Sequence, residues 1–170
     1  MSSFKTLNRF ATSSVKWDLI GQKTGKDNFL SFSIADSDYL TAKPIIDALK
    51  KRIDHGAFGY TFVDDEYYEI VQAWVKRQYD YQVEREWIIT SPGVVTSLFH
   101  LVDLLTEKND KIVIQPPVYN PFYQVVENNG RTLVLNRLIN RNGRYYMDFE
   151  DLEKQFMNGA KMMILCNPHN

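Results

Sequence analysis

The chain has 170 residues, of which 44% are hydrophobic and 24% charged, with a formal net charge of −1. This length is enough for a domain with a hydrophobic core, and the near-neutral charge argues against a protein that binds nucleic acid or an anionic membrane. Cys166 is the only cysteine, which excludes a disulfide framework and a thiolate metal cluster. We therefore expect no metal site and, since the first residues lack the apolar run of a signal peptide, a cytoplasmic protein.

The N-terminal part begins with about 40 polar, irregular residues and then changes to a helical pattern. A helix is predicted over 45–53, ending at Gly56. A second helix, capped by Asp64 or Asp65, runs to about position 79. Four side chains of this second helix are expected to point inward: Tyr67, Ile70, Val71 and Trp74.

The C-terminal part alternates between short apolar strands and amphipathic helices. Strands are predicted over 87–90, 111–115, 132–135 and 161–166, and helices over 93–106, 121–129 and 149–156. The strands are apolar without alternation, which indicates a parallel sheet buried on both faces. This order of elements predicts an α/β fold. His100, within an apolar helix, is expected to be a core histidine, and Cys166, at the end of a buried strand, an inert small hydrophobic residue.

One segment, Ser91-Pro92-Gly93-Val94-Val95-Thr96-Ser97, stands where a predicted strand turns into a predicted helix. A glycine there leaves free backbone N–H groups and the positive end of the helix dipole facing the turn, a geometry that binds anions such as phosphate. Taken alone, the segment is more typical of an ordinary strand-to-helix turn.

Six strings in register carry a family resemblance. They are Lys16-Trp17-Asp18, Ala35-Asp36-Ser37-Asp38-Tyr39, His55-Gly56-Ala57-Phe58-Gly59-Tyr60-Thr61, Pro92-Gly93-Val94-Val95, Pro117-Val118-Tyr119-Asn120-Pro121-Phe122 and Leu165-Cys166-Asn167-Pro168-His169-Asn170. Together they resemble the pyridoxal-phosphate-dependent cystathionine β-lyases of the MalY/PatB type, within the aspartate aminotransferase superfamily of fold type I. The resemblance covers the chain from Lys16 onward.

The resemblance implies a fold and an activity. Residues 1–42 would form an N-terminal segment contributing to the small domain and the substrate entrance, and residues 43–170 the first part of the pyridoxal-phosphate-binding large domain. The implied fold is the truncated N-terminal portion of a fold type I large domain, with a mainly parallel αβα sheet. The implied reaction is β-elimination from cystathionine or a related cysteine thioether, which gives a thiol, pyruvate and ammonia.

The resemblance also assigns five residues to the cofactor, pyridoxal 5′-phosphate. The backbone amides at Gly93, Val94 and Val95 would hold its phosphate. Tyr119 would stack on its ring, and Asn170 would donate a hydrogen bond to its phenolic oxygen. Without the resemblance, Tyr119 would be a tyrosine packed under a loop and Asn170 a polar residue that caps a strand end.

Three further residues are implied to lie outside that group. Tyr60 would reach the cofactor phosphate of a neighbouring subunit, which makes the full-length enzyme a homodimer. Ala35 and Asp36 would lie along the entrance for a small amino-acid substrate. Tyr60 also fits the plainer interpretation of a tyrosine in an ordinary loop.

The sequence departs from the family in one respect. The Schiff-base lysine, an acidic residue for the pyridine nitrogen and an arginine for the substrate carboxylate all lie beyond Asn170 in the family, so no catalytic residue is assigned here. We expect the chain to be the N-terminal part of a longer enzyme, and the 170-residue polypeptide alone to be inactive and poorly stable. Two alternatives stay open: an aminotransferase of the same superfamily, and a non-catalytic, truncated pseudo-enzyme.

Overall fold

A computed structural model describes residues 5–170, and within it the chain forms two compact units, Met1–Val63 and Asp64–Asn170. The predicted division into residues 1–42 and 43–170 concerns the small and large domains of a whole enzyme and stays a prediction.

In its described part, the first unit contains three helical elements and an isolated antiparallel bridge between Thr6 and Tyr39. A π-helical turn over Val15–Leu19 leads into α1 (Ile20–Thr24), and α2 follows at Lys43–His55. The first two elements were missed in the polar N-terminal stretch. The predicted helix over 45–53 is confirmed as the centre of α2, and Gly56 ends it with φ of 73°, a conformation that favours glycine.

The second unit contains four helices, a three-stranded sheet and a hairpin. The helices are α3 (Asp65–Tyr79), α4 (Val94–Leu105), α5 (Pro121–Asn128) and α6 (Phe149–Met157), with a 3₁₀ turn at Arg85–Trp87. The strands are β1 (Lys111–Ile114), β2 (Thr132–Leu135), β3 (Ile139–Arg141), β4 (Arg144–Tyr146) and β5 (Ala160–Met163). Asp64 caps α3 by accepting a hydrogen bond from the Tyr67 amide, so the predicted cap is confirmed.

The sheet is parallel, with the strand order β2-β1-β5. Its central strand β1 is buried on both faces, because the neighbouring side chains Ile112, Val113 and Ile114 are all fully covered. One face packs with α4 and α5 into the main core, through Val102, Phe122, Val125 and Val126 among others. The predicted α/β class is therefore confirmed.

Three sequence predictions within this unit are wrong. Residues 88–90 form no strand, because no described strand lies beside them, although Ile88 keeps extended angles. Tyr67, Ile70 and Trp74 are 44%, 60% and 53% exposed rather than inward. His100 was expected in the core, but α4 buries Val102 instead and leaves His100 exposed.

A buried amide network closes the carboxyl end of the sheet. Asn136 is fully buried; its Oδ1 accepts from Gln115 Nε2 at 2.8 Å, and its Nδ2 donates to Asp148 O at 3.0 Å and to Asp151 Oδ2 at 2.7 Å. The Asn136 and Gln155 amides also lower the pKa of Asp151. This one side chain thus joins the ends of β1 and β2 to the start of α6.

We expect Asn136→Ala to lower the free energy of unfolding by about 2–4 kcal/mol, because the buried Gln115 amide and the Asp151 carboxylate both lose a partner. Urea unfolding of the intact protein that carries this chain compares it with Asn128→Ala, a control that truncates an exposed asparagine. Equal midpoints for the two variants would show that the network contributes no stability.

Candidate functional site

The first element of the site is the N-terminus of α4, which the sequence predicted as an anion site. Gly93 precedes α4 in an extended conformation, with φ of 168° and ψ of 157°. The first bond inside the helix runs from the Ser97 N–H to Gly93 O at 3.0 Å. The N–H groups of Val94, Val95 and Thr96 come before that bond and are free of partners within the helix.

The turn that carries Gly93 is held by hydrogen bonds to the Gly93 carbonyl oxygen rather than by bonds from backbone amides of the turn. Gly93 O accepts from Ser91 Oγ at 3.2 Å and from Ser97 Oγ at 3.3 Å, besides the Ser97 amide. A Cβ placed on Gly93 would meet no atom within 4 Å, so the space beside this residue is open. The two serines were not singled out from the sequence, although both lie within the motif.

The fold places the N-terminus of α4 at the carboxyl edge of the sheet. The short connection 106–110 leads from α4 to β1, so the two elements run in opposite directions. Residues that follow β1 and β5 leave the sheet at the same edge, because these strands are parallel neighbours. Tyr119 follows β1 and Asn170 follows β5. This edge is where ligands of open parallel sheets usually bind.

Tyr119 lies in the loop between β1 and α5. Its ring is 40% exposed and packs edge-on against Phe122, with ring centroids 5.9 Å apart and planes at 85°. One face of the ring is therefore not covered by Phe122, and a flat ligand could stack there.

A hydrogen bond joins the Tyr119 loop to the C-terminal segment. His169 Nε2 lies 2.6 Å from Pro117 O, so Nε2 carries the proton and donates it to this carbonyl. Asn170 is held nearby on its own segment, because its backbone N–H donates to Cys166 Sγ at 3.4 Å. The role of His169 was not anticipated, although it stands inside the Asn167–Asn170 string.

A cavity of about 580 Å³ opens beside these two segments. Gln115, Cys166, Asn167 and His169 are among the residues that line it. Cys166 was expected to be an inert residue on a buried strand; it is only partly buried and lies after the end of β5.

Tyr60, Ala35 and Asp36 belong to the other unit, Met1–Val63. Tyr60 stands in an irregular stretch with its side chain fully exposed. Ala35 is also exposed. The Asp36 carboxylate forms an ion pair with Arg9, with Oδ2 2.5 Å from Nη2.

Next to Asp36 lies a charged cluster centred on Asp38, which sequence reasoning missed. The Asp38 carboxylate accepts from Lys16 Nζ at 2.7 Å, Trp17 Nε1 at 2.9 Å and Arg9 Nη1 at 3.1 Å. These hydrogen bonds lower the pKa of Asp38 to about 2. The Lys16 ammonium has the largest effect, and the Trp17 indole and the Arg9 guanidinium add to it. We call these four residues the Asp38 cluster. A signal was present, since three of the four stand in the family strings.

The lowered pKa predicts a pH dependence of stability. The Asp38 pKa is about 2 in the folded protein and about 3.9 when unfolded, so its contribution is complete above about pH 4 and disappears as the pH falls toward 2. Asp36, which pairs with the same Arg9, adds a second carboxylate beside this cluster. Urea midpoints of the intact protein, as wild type and as Asp38→Asn, should therefore converge between pH 4 and 2. A difference that stays constant over this window would contradict the assignment; Asp27→Asn, which removes an exposed carboxylate, is the control.

Two kinds of feature are absent from residues 5–170. No group of three or more His, Cys, Asp or Glu side chains there could hold a metal ion. No helix within the described part is long and apolar enough to cross a membrane.

Comparison with known proteins supports the family resemblance. Residues 27–170 match the family described as aminotransferase class I and II. The chain belongs to this family. It is 44% identical to cystathionine β-lyase PatB of Bacillus subtilis over 171 residues, which cover all of this chain and 44% of PatB. It is 30% identical to protein MalY of Escherichia coli, covering 98% of this chain and 43% of MalY.

The fold agrees with a solved structure of this kind. Cystalysin from Treponema denticola, whose crystal structure contains a pyridoxal 5′-phosphate cofactor, superposes with a TM-score of 0.90 at 31% identity, over 98% of this chain and 43% of cystalysin. The predicted resemblance to MalY/PatB-type proteins and the predicted fold type I architecture are confirmed. The chain spans less than half the length of these aminotransferase-family relatives.

Proposed function

We propose that this chain forms the cofactor-phosphate and cofactor-ring portion of a pyridoxal-phosphate-dependent C–S β-lyase. The observation that carries the proposal is the 44% identity to cystathionine β-lyase PatB over the whole chain. The reaction is β-elimination from cystathionine or a related cysteine thioether, which yields a thiol, pyruvate and ammonia.

The residues at the carboxyl edge of the sheet fit this cofactor. The free N–H groups of Val94 and Val95 suit a doubly charged phosphate, and the open space at Gly93 lets it approach the backbone. The exposed face of Tyr119 suits a flat heterocycle. An amide side chain at Asn170 suits a phenolic oxygen, because it donates a hydrogen bond without adding charge.

Each residue then has a defined task. The bound cofactor supplies an electron sink for the negative charge that develops at the substrate α-carbon. The α4 amides anchor the phosphate, so the cofactor does not move while bonds on the substrate change. Tyr119 fixes the plane of the ring, and His169 fixes the loop of Tyr119 relative to Asn170 through Pro117 O.

The assembly and location are parts of the same proposal. Tyr60 would contact the cofactor phosphate of a second subunit in a homodimer. Its side chain is fully exposed, so it is accessible for such a contact. The enzyme would act on a small amino-acid substrate in the cytoplasm. Ala35 and Asp36 would lie along the substrate entrance.

A second candidate function is amine transfer to a keto acid, favoured by the match of residues 27–170 to the aminotransferase family. One experiment separates the two. The intact protein that carries this chain is loaded with pyridoxal phosphate and given cystathionine. We expect pyruvate without any added keto acid. Amine transfer that requires a keto acid, with no pyruvate, would favour the second candidate, and neither product would overturn both.

A further inference from the structure

The segment 36–38 is held in place without belonging to any helix or strand. Its backbone carbonyls accept in succession: Asp36 O from Lys16 Nζ at 3.1 Å, Ser37 O from Arg9 Nη1 at 3.2 Å, and Asp38 O from a backbone amide at 2.8 Å. Two of the three donors are side-chain cations. The conformation of this segment therefore depends on where Lys16 and Arg9 are held.

Both cations are held by one carboxylate. Asp38 Oδ2 lies 2.7 Å from Lys16 Nζ, and Asp38 Oδ1 lies 3.1 Å from Arg9 Nη1. The Lys16 side chain is only 11% exposed, so its ammonium has little access to water and depends on this partner. Trp17 Nε1 donates to the same carboxylate and fixes its orientation.

The neighbouring carboxylate, that of Asp36, is paired with Arg9. Its Oδ2 lies 2.5 Å from Arg9 Nη2. The carboxylates of Asp36 and Asp38 together balance the two cations of the Asp38 cluster, so Asp36 offers no unpaired negative charge to a substrate ammonium group. What the segment can offer at an entrance is its backbone, in a shape that the cluster sets.

We propose that Asp38 is a positioning residue for the substrate entrance, acting through Lys16 and Arg9 on the backbone of Asp36 and Ser37, directly after Ala35. This inference rests on the proposed function, which places that backbone at the entrance. It assigns Asp38 no contact with the substrate, and it makes the Asp36 carboxylate a structural group rather than a substrate ligand.

The test measures how well the segment 36–38 is ordered, and how well the enzyme works, in the same variants of the intact protein. Two backbone amides next to the segment report its order: Leu7 N–H donates to Asp38 O and Leu40 N–H donates to Lys5 O, both at 2.8 Å. Asp38→Asn should speed hydrogen exchange at these amides about tenfold or more. It should raise KM for the thioether about tenfold and change kcat less than about twofold, the pattern of weakened ground-state binding.

Lys16→Met, which leaves the Arg9 and Trp17 bonds to Asp38 in place, should give the same pattern to a smaller degree and serves if Asp38→Asn does not fold. Asp27→Asn, the exposed control, should change neither readout. Unchanged exchange in both cluster variants would overturn the proposal, as would a raised KM without faster exchange, since Asp38 would then contact the substrate itself. A wild type that neither binds pyridoxal phosphate nor releases pyruvate refutes the proposed function instead, while the exchange rates still decide whether Asp38 orders the segment.

Discussion

Gly93→Asp is expected to weaken binding of pyridoxal phosphate by about a hundredfold or more while leaving the fold intact. The aspartate would stand at the start of α4, where an anionic phosphate is proposed to bind. Like charges about 4 Å apart repel by up to about 4 kcal/mol near a protein surface, which exceeds the 2.7 kcal/mol or so that a hundredfold change requires.

The same substitution should not destabilise the helix, which separates a site effect from a folding effect. The backbone at Gly93 is extended, a conformation open to any residue, and a Cβ there meets no atom within 4 Å. Aspartate is also a favourable residue at a helix N-cap. Urea midpoints should therefore be equal to or higher than those of the wild type.

Gly93→Ser is the matched control, because serine also caps a helix but adds no charge. Cofactor titration followed by visible absorbance should give a much smaller loss for serine than for aspartate. Equal losses would mean that the site excludes a side chain rather than an anion. Unchanged affinity in both variants would mean that the phosphate does not bind at α4.

The 170-residue polypeptide produced by itself is expected to unfold without a cooperative transition and to bind pyridoxal phosphate weakly or not at all. Many large apolar side chains are exposed. In the second unit they include Ile89 at 89%, Met157 at 83%, Leu104 at 78%, Val94 at 77% and Phe149 at 70%. Burying one such side chain contributes about 1.5–3 kcal/mol. Five such side chains left exposed lose a stabilising free energy comparable with the whole free energy of unfolding of a typical domain.

The measurement is urea unfolding together with binding of a dye that fluoresces on apolar surfaces. We expect strong dye fluorescence before any urea is added and a broad, shallow transition. A sharp transition accompanied by cofactor binding at micromolar strength would contradict this expectation.

Local chemistry made several elements predictable from the sequence. Gly56 ends α2 because its left-handed angles favour glycine, and Asp64 starts α3 because its side chain accepts from an early helix amide. The continuous apolar run at Ile112–Ile114 indicated a strand buried on both faces, and it is one. Such signals lie within a few residues of the structure that they specify.

The features that were missed depend on partners distant in sequence. Residues 88–90 have the composition of a strand, but a strand needs a neighbour to pair with. The Asp38 cluster joins side chains 21 to 29 residues apart, and no local pattern marks such a contact. The hairpin of β3 and β4 had a visible signal in Asn142-Gly143, which both take positive φ, but its strands are polar and exposed.

The candidate site divides in the same way. The helix start at Gly93 and the loop of Tyr119 could be placed on their elements from the sequence, and the topology brings both to the carboxyl edge of the sheet. The hydrogen bond from His169 to Pro117 O could not be foreseen, because it joins residues 52 positions apart.

The central claim is tested most directly by a crystal structure of the intact protein with pyridoxal phosphate bound. We predict phosphate oxygens within hydrogen-bonding distance of the Val94 and Val95 amides, and the cofactor ring stacked on Tyr119. A cofactor bound elsewhere, or a phosphate at α4 with the ring far from Tyr119, would contradict the account.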